Sequence, residues 1–217
     1  SILDEILIES RCNKGGIRYC HVLQPAVINM PADSGWCTVL LNKYYKMNST
    51  YETPVALVLE DSGIYLDKRV AEVFREMYNA AADDGITLTP AAGYVSLERQ
   101  ERKFNKQVEL YVAGGMAEEE AKAKTAFTIL PPGCSESNYG LAVDIGWLSD
   151  SFANSPAYAW LKNNAASYGF IERYQSSKTD ITHFTAQPWH WRYVGVEKAK
   201  EIKASGLVLE EFLGDVG

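Results

Sequence analysis

Pro132-Gly133-Cys134-Ser135-Glu136-Ser137-Asn138-Tyr139-Gly140-Leu141-Ala142-Val143-Asp144 is the stretch on which the fold turns. Its last part, continued to Ile145, is a short apolar run that reads as a buried strand. Downstream, Pro156 sits well at a helix start, and Tyr158, Leu161, Ala165 and Tyr168 follow on one face. Trp189 to Val194 is a strand of aromatic and β-branched residues, and Val196 to Ala204 is a closing helix capped by Gly206. Upstream, Thr38 to Leu41 and Ile86 to Ala92 are strand candidates. Leu66 to Asp84 carries Val70, Val73, Phe74, Met77 and Ala81 at helical spacing and stops at Gly85. Leu97 to Val112 repeats that pattern through Gln100, Phe104, Val108 and Tyr111, and Ala117 to Phe127 forms a third helix. Helices and strands mix without a regular βαβ rhythm. The expected fold is α+β, a small, mainly antiparallel sheet flanked by helices.

The 217 residues suffice for one domain with a short appendage. Residues 1–35 hold short apolar runs broken by Gly, Pro and Asn, so strands and turns are expected there, with a hairpin through Gly15-Gly16. Residues 36–217 make the main domain. The net charge is -7 without a Lys/Arg-rich run, which argues against nucleic acid and anionic membranes as partners. No stretch reaches the roughly 20 apolar residues of a membrane span. Ser1 is not a natural start, so a leader or anchor is expected to have been removed. Cys12 and Cys20 are spaced for a bridge across the Gly15-Gly16 turn, with free thiols as the alternative.

Two further segments are as specific as the first: Gly93-Tyr94-Val95-Ser96-Leu97-Glu98-Arg99-Gln100 and Gln187-Pro188-Trp189-His190-Trp191-Arg192-Tyr193-Val194-Gly195. Together the three resemble the VanY-type D-alanyl-D-alanine carboxypeptidases. Those carry a Gly-Tyr-Arg-Ser segment, a Ser-x-His-x-x-Gly-x-Ala-x-Asp segment and a Glu-x-Trp-His segment in the same order. The flanks agree as well, at Leu41-Asn42-Lys43 and from Tyr168-Gly169-Phe170 to Arg173-Tyr174. The resemblance implies the fold of hedgehog-like D,D-peptidases. It implies one zinc held by two histidines and an aspartate, a glutamate base, and an arginine that stabilises charge. Its implied partner is a peptidoglycan stem peptide, and its implied location is the cell envelope, outside the cytoplasm.

Carried over residue by residue, the scaffold agrees and the chemistry departs. Asp144 and His190 stand at metal-ligand positions, but Ser137 replaces the second histidine. Gln187 stands at the catalytic glutamate position and Val95 at the arginine position. Tyr94, Ser135 and Trp189 match the family and are candidate substrate-binding residues. A serine hydroxyl is a poor zinc ligand. An amide does not accept a proton from water, and valine offers a developing oxyanion no charge. The expectation is a catalytically impaired pseudopeptidase with weak or absent zinc that binds a stem peptide or another peptide. The alternatives are an active zinc carboxypeptidase with a rebuilt metal site, and a peptide or protein interaction module.

Blander readings accompany each candidate. Asp144 and His190 also fit a hydrogen-bonded pair under the cleft. His183 is a distant replacement ligand or an ordinary loop histidine. Cys134 is a better zinc ligand than serine, but strand alternation would turn it away from Ser137. Glu136 is a stray base or, since the family often carries Glu there, a structural group. The five tryptophans fit core packing better than a ligand groove. Glu118-Glu119-Glu120 is a solvated helix face.

Overall fold

The computed structural model describes residues 24–214. β1 (Ala26–Ile28) pairs in parallel with β2 (Tyr45–Met47). β3 (Val55–Leu57) and β4 (Tyr65–Asp67) form an antiparallel pair that leads into α1 (Lys68–Asp83). There follow β5 (Pro90–Ala92), α2 (Leu97–Ala113), α3 (Glu118–Thr125), β6 (Ala142–Ile145), α4 (Pro156–Asn164) and β7 (Phe170–Tyr174). The chain closes through α5 (Thr179–Thr182), β8 (Gln187–Tyr193), α6 (Val196–Ser205) and α7 (Leu209–Leu213). The central sheet runs β5-β6-β8-β7, with each neighbouring pair antiparallel. This is the expected α+β architecture. The Gly15-Gly16 hairpin, Cys12 and Cys20 lie outside the described residues.

Alternation along β6 explains why the sheet has a core face and a cleft face. Val143 and Ile145 pack with Leu141, Trp191 and the buried side of α1, where Val70, Phe74 and Met77 are fully enclosed. Asp144 points the other way. α2 is anchored differently: Phe104 and Val108 form a separate small cluster with Ala121 and Ala126. Among the tryptophans, Trp160 and Trp191 are buried, Trp36 and Trp189 pack against the main core, and Trp147 is exposed. The acidic run on α3 is solvated, with Lys122 reaching Glu118 and Glu119 at 2.7 and 2.9 Å. Among the described residues no helix is long and apolar enough to cross a membrane.

The strand expected over Thr38–Leu41 is absent. Ser34–Thr38 is a 3-10 turn, and residues 39–41 pair with no strand. The carbonyls of Cys37 and Val39 instead accept from Nη2 of Arg192 at 3.1 and 2.9 Å. A guanidinium takes the place that a neighbouring strand would fill. The helix expected from Leu66 starts two residues later, because Leu66 and Asp67 belong to β4 and the Asp67 side chain caps α1 through the Arg69 N–H. The strand expected over Ile86–Ala92 is reduced to its last three residues, and edge strand β7 adds to those foreseen.

One glycine fixes the approach to β6. Gly140 has φ +60, and a Cβ there would overlap the backbone nitrogen of Asp67. Its carbonyl accepts from that same N–H at 3.0 Å. Gly140→Ala should therefore destabilise by more than the roughly 1–3 kcal/mol of left-handed strain alone. Gly85→Ala, with φ +75 and open space around it, should cost only the strain. Urea unfolding of the two variants checks this, and equal losses would contradict the close-packed junction.

Candidate functional site

Strand register builds the centre of the site. β6 and β8 are neighbours, and Asp144 stands directly opposite His190. Opposed residues of an antiparallel pair share a face. Oδ1 of Asp144 lies 2.7 Å from Nδ1 of His190, and Nε2 of the same ring lies 3.4 Å from Oε2 of Glu136. Both ring nitrogens thus face carboxylates. Burial works against protonation of His190, but the charge and hydrogen bond of Asp144, with those of Glu136, outweigh it and raise the imidazole to about 9.

Two loops are stitched together beside this pair. Glu136–Tyr139 is a 3-10 turn capped by Ser135, whose hydroxyl accepts from the Ser137 N–H at 3.3 Å. The Val95 N–H donates to the Ser137 carbonyl at 2.9 Å, and Asn138 Nδ2 donates to the Val95 carbonyl at 2.8 Å. The turn also corrects the reason for discarding Cys134 as a ligand. Strand alternation does not apply to a 3-10 segment. Cys134 is instead enclosed with Leu130, Tyr174 and Phe184, where burial pushes its thiol up to about 12.

An open cleft of about 380 Å³ brings Val95, Ser135, Ser137, Asp144, Gln187 and His190 together. Gln187 and His190 are three apart on one strand, so strict alternation would put them on opposite faces. Both nevertheless line the cleft, and β8 is irregular between them, with Glu172 paired to Trp191 and Tyr174 to Gln187. The Trp191 indole N–H donates to the Pro188 carbonyl at 3.0 Å across the irregularity. Tyr94 and Trp189 are not among the lining residues. Trp189 leans on the main core, and the Tyr94 N–H donates to the Tyr65 carbonyl at 2.6 Å. His183 lies outside the cleft too, edge-on to Tyr44 with ring centroids 5.9 Å apart.

Behind the cleft lies a buried charge cluster with Glu136 at its middle. Oε1 of Glu136 is 2.7 Å from Arg173 Nε and 2.9 Å from Arg192 Nη1. Arg173 also grips Glu210 through two hydrogen bonds of 2.8 and 2.6 Å. Burial opposes ionisation of Glu136, but Arg192 and Arg173, then His190, overcome it and hold the carboxyl well below the usual range. Sequence reading assigned Glu136 a structural alternative but missed Arg173, Arg192 and Glu210. The available signal was position: both arginines interrupt apolar strands, where an unpaired charge is prohibitively costly.

The residues present do not fit a zinc ion. Two ligands of one tetrahedral zinc stand about 3.3–3.4 Å apart, given bonds of about 2.0–2.1 Å. Asp144 and His190 instead touch directly at 2.7 Å. Ser137 supplies only a hydroxyl. Glu136 is committed to two guanidiniums. Among the described residues no group of three His, Cys, Asp or Glu side chains is arranged to hold a metal.

The family model for VanY, D-alanyl-D-alanine carboxypeptidase, matches residues 63–196. This chain belongs to the VanY family. A D-alanyl-D-alanine carboxypeptidase from Enterococcus faecalis is 36% identical over 178 residues, covering 82% of this chain and 66% of that protein. The chain thus spans just under two thirds of that relative's length. Among solved structures, a variant of the vancomycin resistance D,D-pentapeptidase VanY in complex with Zn(II) aligns with a TM-score of 0.70. Identity there is 36%, over 82% of this chain and 99% of the other. The LdcB LD-carboxypeptidase, whose structure concerns peptidoglycan recognition, gives a TM-score of 0.73. Its identity is 33%, over 89% of this chain and 91% of the other. The VanY-family scaffold is therefore present.

Two outcomes follow from the cluster. Arg173→Met takes one of two guanidiniums from Glu136 and leaves Glu210 only the Asn42 amide, and should cost about 3–5 kcal/mol at neutral pH. Because Glu136 is held low, its contribution is present above the unfolded carboxyl value of about 4.3. That contribution is lost as pH falls, so the deficit of the variant should narrow in acid. His190 is raised, so its contribution is full below about 6.5 and is lost as pH rises through about 9. Denaturant unfolding between pH 6.5 and 9.5 should show a decline that His190→Gln abolishes. A variant with the same decline as the parent would place the titration elsewhere.

Proposed function

We propose that this chain is a carboxypeptidase-like protein of the bacterial cell envelope, acting outside the cytoplasm, that binds a peptidoglycan stem peptide in the VanY cleft and is catalytically impaired. The observation that carries this reading is the direct 2.7 Å contact between Asp144 and His190, where two ligands of one zinc would stand further apart. Ser137, Gln187 and Val95 support it, since all three line the cleft where ligand, base and charge stabiliser are needed. Loss of a general base typically costs about 10²–10⁴-fold, and of one oxyanion donor about 10²–10³-fold. Such losses do not multiply cleanly when the groups act as a unit. The peptide ligand is supported by the relatives, one a D-alanyl-D-alanine carboxypeptidase and one studied for peptidoglycan recognition. A rebuilt zinc site would need a third ligand, and Glu136 and Cys134 are both engaged elsewhere.

Protein purified without chelator should hold well under one zinc per chain. D-alanine release from a pentapeptide ending in D-Ala-D-Ala should be undetectable with or without added zinc. Stoichiometric zinc that survives dialysis, or turnover on the order of 1 s⁻¹, would overturn the reading. Restoring Val95→Arg, Ser137→His and Gln187→Glu together should raise zinc occupancy and return partial activity. Ser137→His alone should restore metal without turnover, and Gln187→Glu alone should restore neither. A folded, zinc-loaded but inert triple variant would show that the cleft itself has drifted, since about 1 Å of misplacement can cost on the order of 100-fold.

A further inference from the structure

α2 turns one long face to the cleft. Gln100, Lys103, Lys106, Gln107 and Leu110 all line it. At about 100° per residue these five positions fall within an arc of about 120°, so they form one stripe. The stripe is about 15 Å long at ~1.5 Å per residue, the span of roughly four extended peptide residues. The neighbouring face is the one that buries Phe104 and Val108. Gln100, at one end of the stripe, is buried and its Nε2 donates to the Leu130 carbonyl at 2.6 Å, whereas Lys103 and Lys106 are exposed and Leu110 is 59% exposed.

Two of the lining residues, Lys103 and Lys106, are cationic. Both are exposed, and among the described residues neither forms an ion pair, whereas Lys122, Lys162, Lys178 and Lys198 each have a glutamate. The acids of α2 do not compensate: Glu98 is paired with Arg102, and Glu101 and Glu109 do not line the cleft. Asp144 is the lining acid, and His190 already faces it. The cleft is thus locally cationic in a chain of net charge -7. Such a contrast concentrates an anion where the rest of the surface repels it.

We propose that Lys103 and Lys106 form a carboxylate-binding wall of the cleft, receiving the terminal carboxylate of a bound peptide. The inference rests on the peptide-binding reading above. A lysine is a point charge on a flexible stem, so two of them one turn apart can follow a carboxylate without the fixed fork of an arginine. Binding is non-covalent and needs no metal.

The test compares N-acetyl-D-alanyl-D-alanine with its C-terminal amide, using calorimetry and NMR of the lysine side chains on the full chain. The free acid should bind about tenfold tighter than the amide, and the gap should close in salt. The Lys103→Met/Lys106→Met double variant, whose circular dichroism should match the parent, should bind acid and amide alike. Equal binding of acid and amide by the parent, or a preference for the acid that survives in the double variant, would overturn the inference. Sodium acetate separates this from failure of the peptide reading. If the dipeptide acid binds no better than acetate, peptide recognition falls. An acetate-induced shift at Lys103 and Lys106 then upholds the anion wall, and no shift overturns it.

Discussion

Glu136 is fully enclosed and ionised, and much of the structure follows from keeping it so. Its two oxygens are shared among Arg173, Arg192 and His190, which come from β7 and β8. Arg173 passes the restraint to Glu210 at the start of α7, and Arg192 passes it to the carbonyls of Cys37 and Val39. One carboxylate thus ties both outer elements and an otherwise unpaired segment to the sheet. Counting Asp144 and Glu210 with Glu136 against Arg173, Arg192 and a protonated His190, the cluster is neutral. Removing charges in pairs would be tolerable, but removing one strands its partner in a medium that cannot solvate it.

That neutrality bears on the centre of the site. In a zinc peptidase the cation between aspartate and histidine is a metal. Here the carboxylates of Asp144 and Glu136 are both satisfied by an imidazole held in its charged form, with Asp144 the closer partner. The backbone around it is set by the capped Ser135 turn, the left-handed Gly140, and the strand pair that places Asp144 opposite His190. The departures line the cleft. Ser137 and Gln187 are half-buried cleft residues, and Val95 keeps its backbone hydrogen bonds whatever its side chain. The departures from the motif are in side chains, while backbone hydrogen bonds hold the loops of the cleft together.

Much was legible in the sequence because it depends on local spacing. Apolar residues three and four apart announced α1 and α2, and Pro156 and Gly206 marked helix ends. Motif order was enough to name the family and to nominate Val95, Ser135, Ser137, Asp144, Gln187 and His190, all of which the cleft gathers. Thr38–Leu41 was misread because an apolar run reports burial rather than hydrogen-bond partner, and the partner was a guanidinium some 150 residues away. The sequence by itself therefore determined the longer helices, the strand at Asp144 and the residues that depart from the family motifs. Only the tertiary structure decided three other things: that His190 faces two carboxylates, that Gln187 shares its cleft despite being three residues away on an irregular strand, and that Lys103 and Lys106 border it. The reason is that these depend on cross-strand register and charge pairing between distant segments, which no local periodicity encodes.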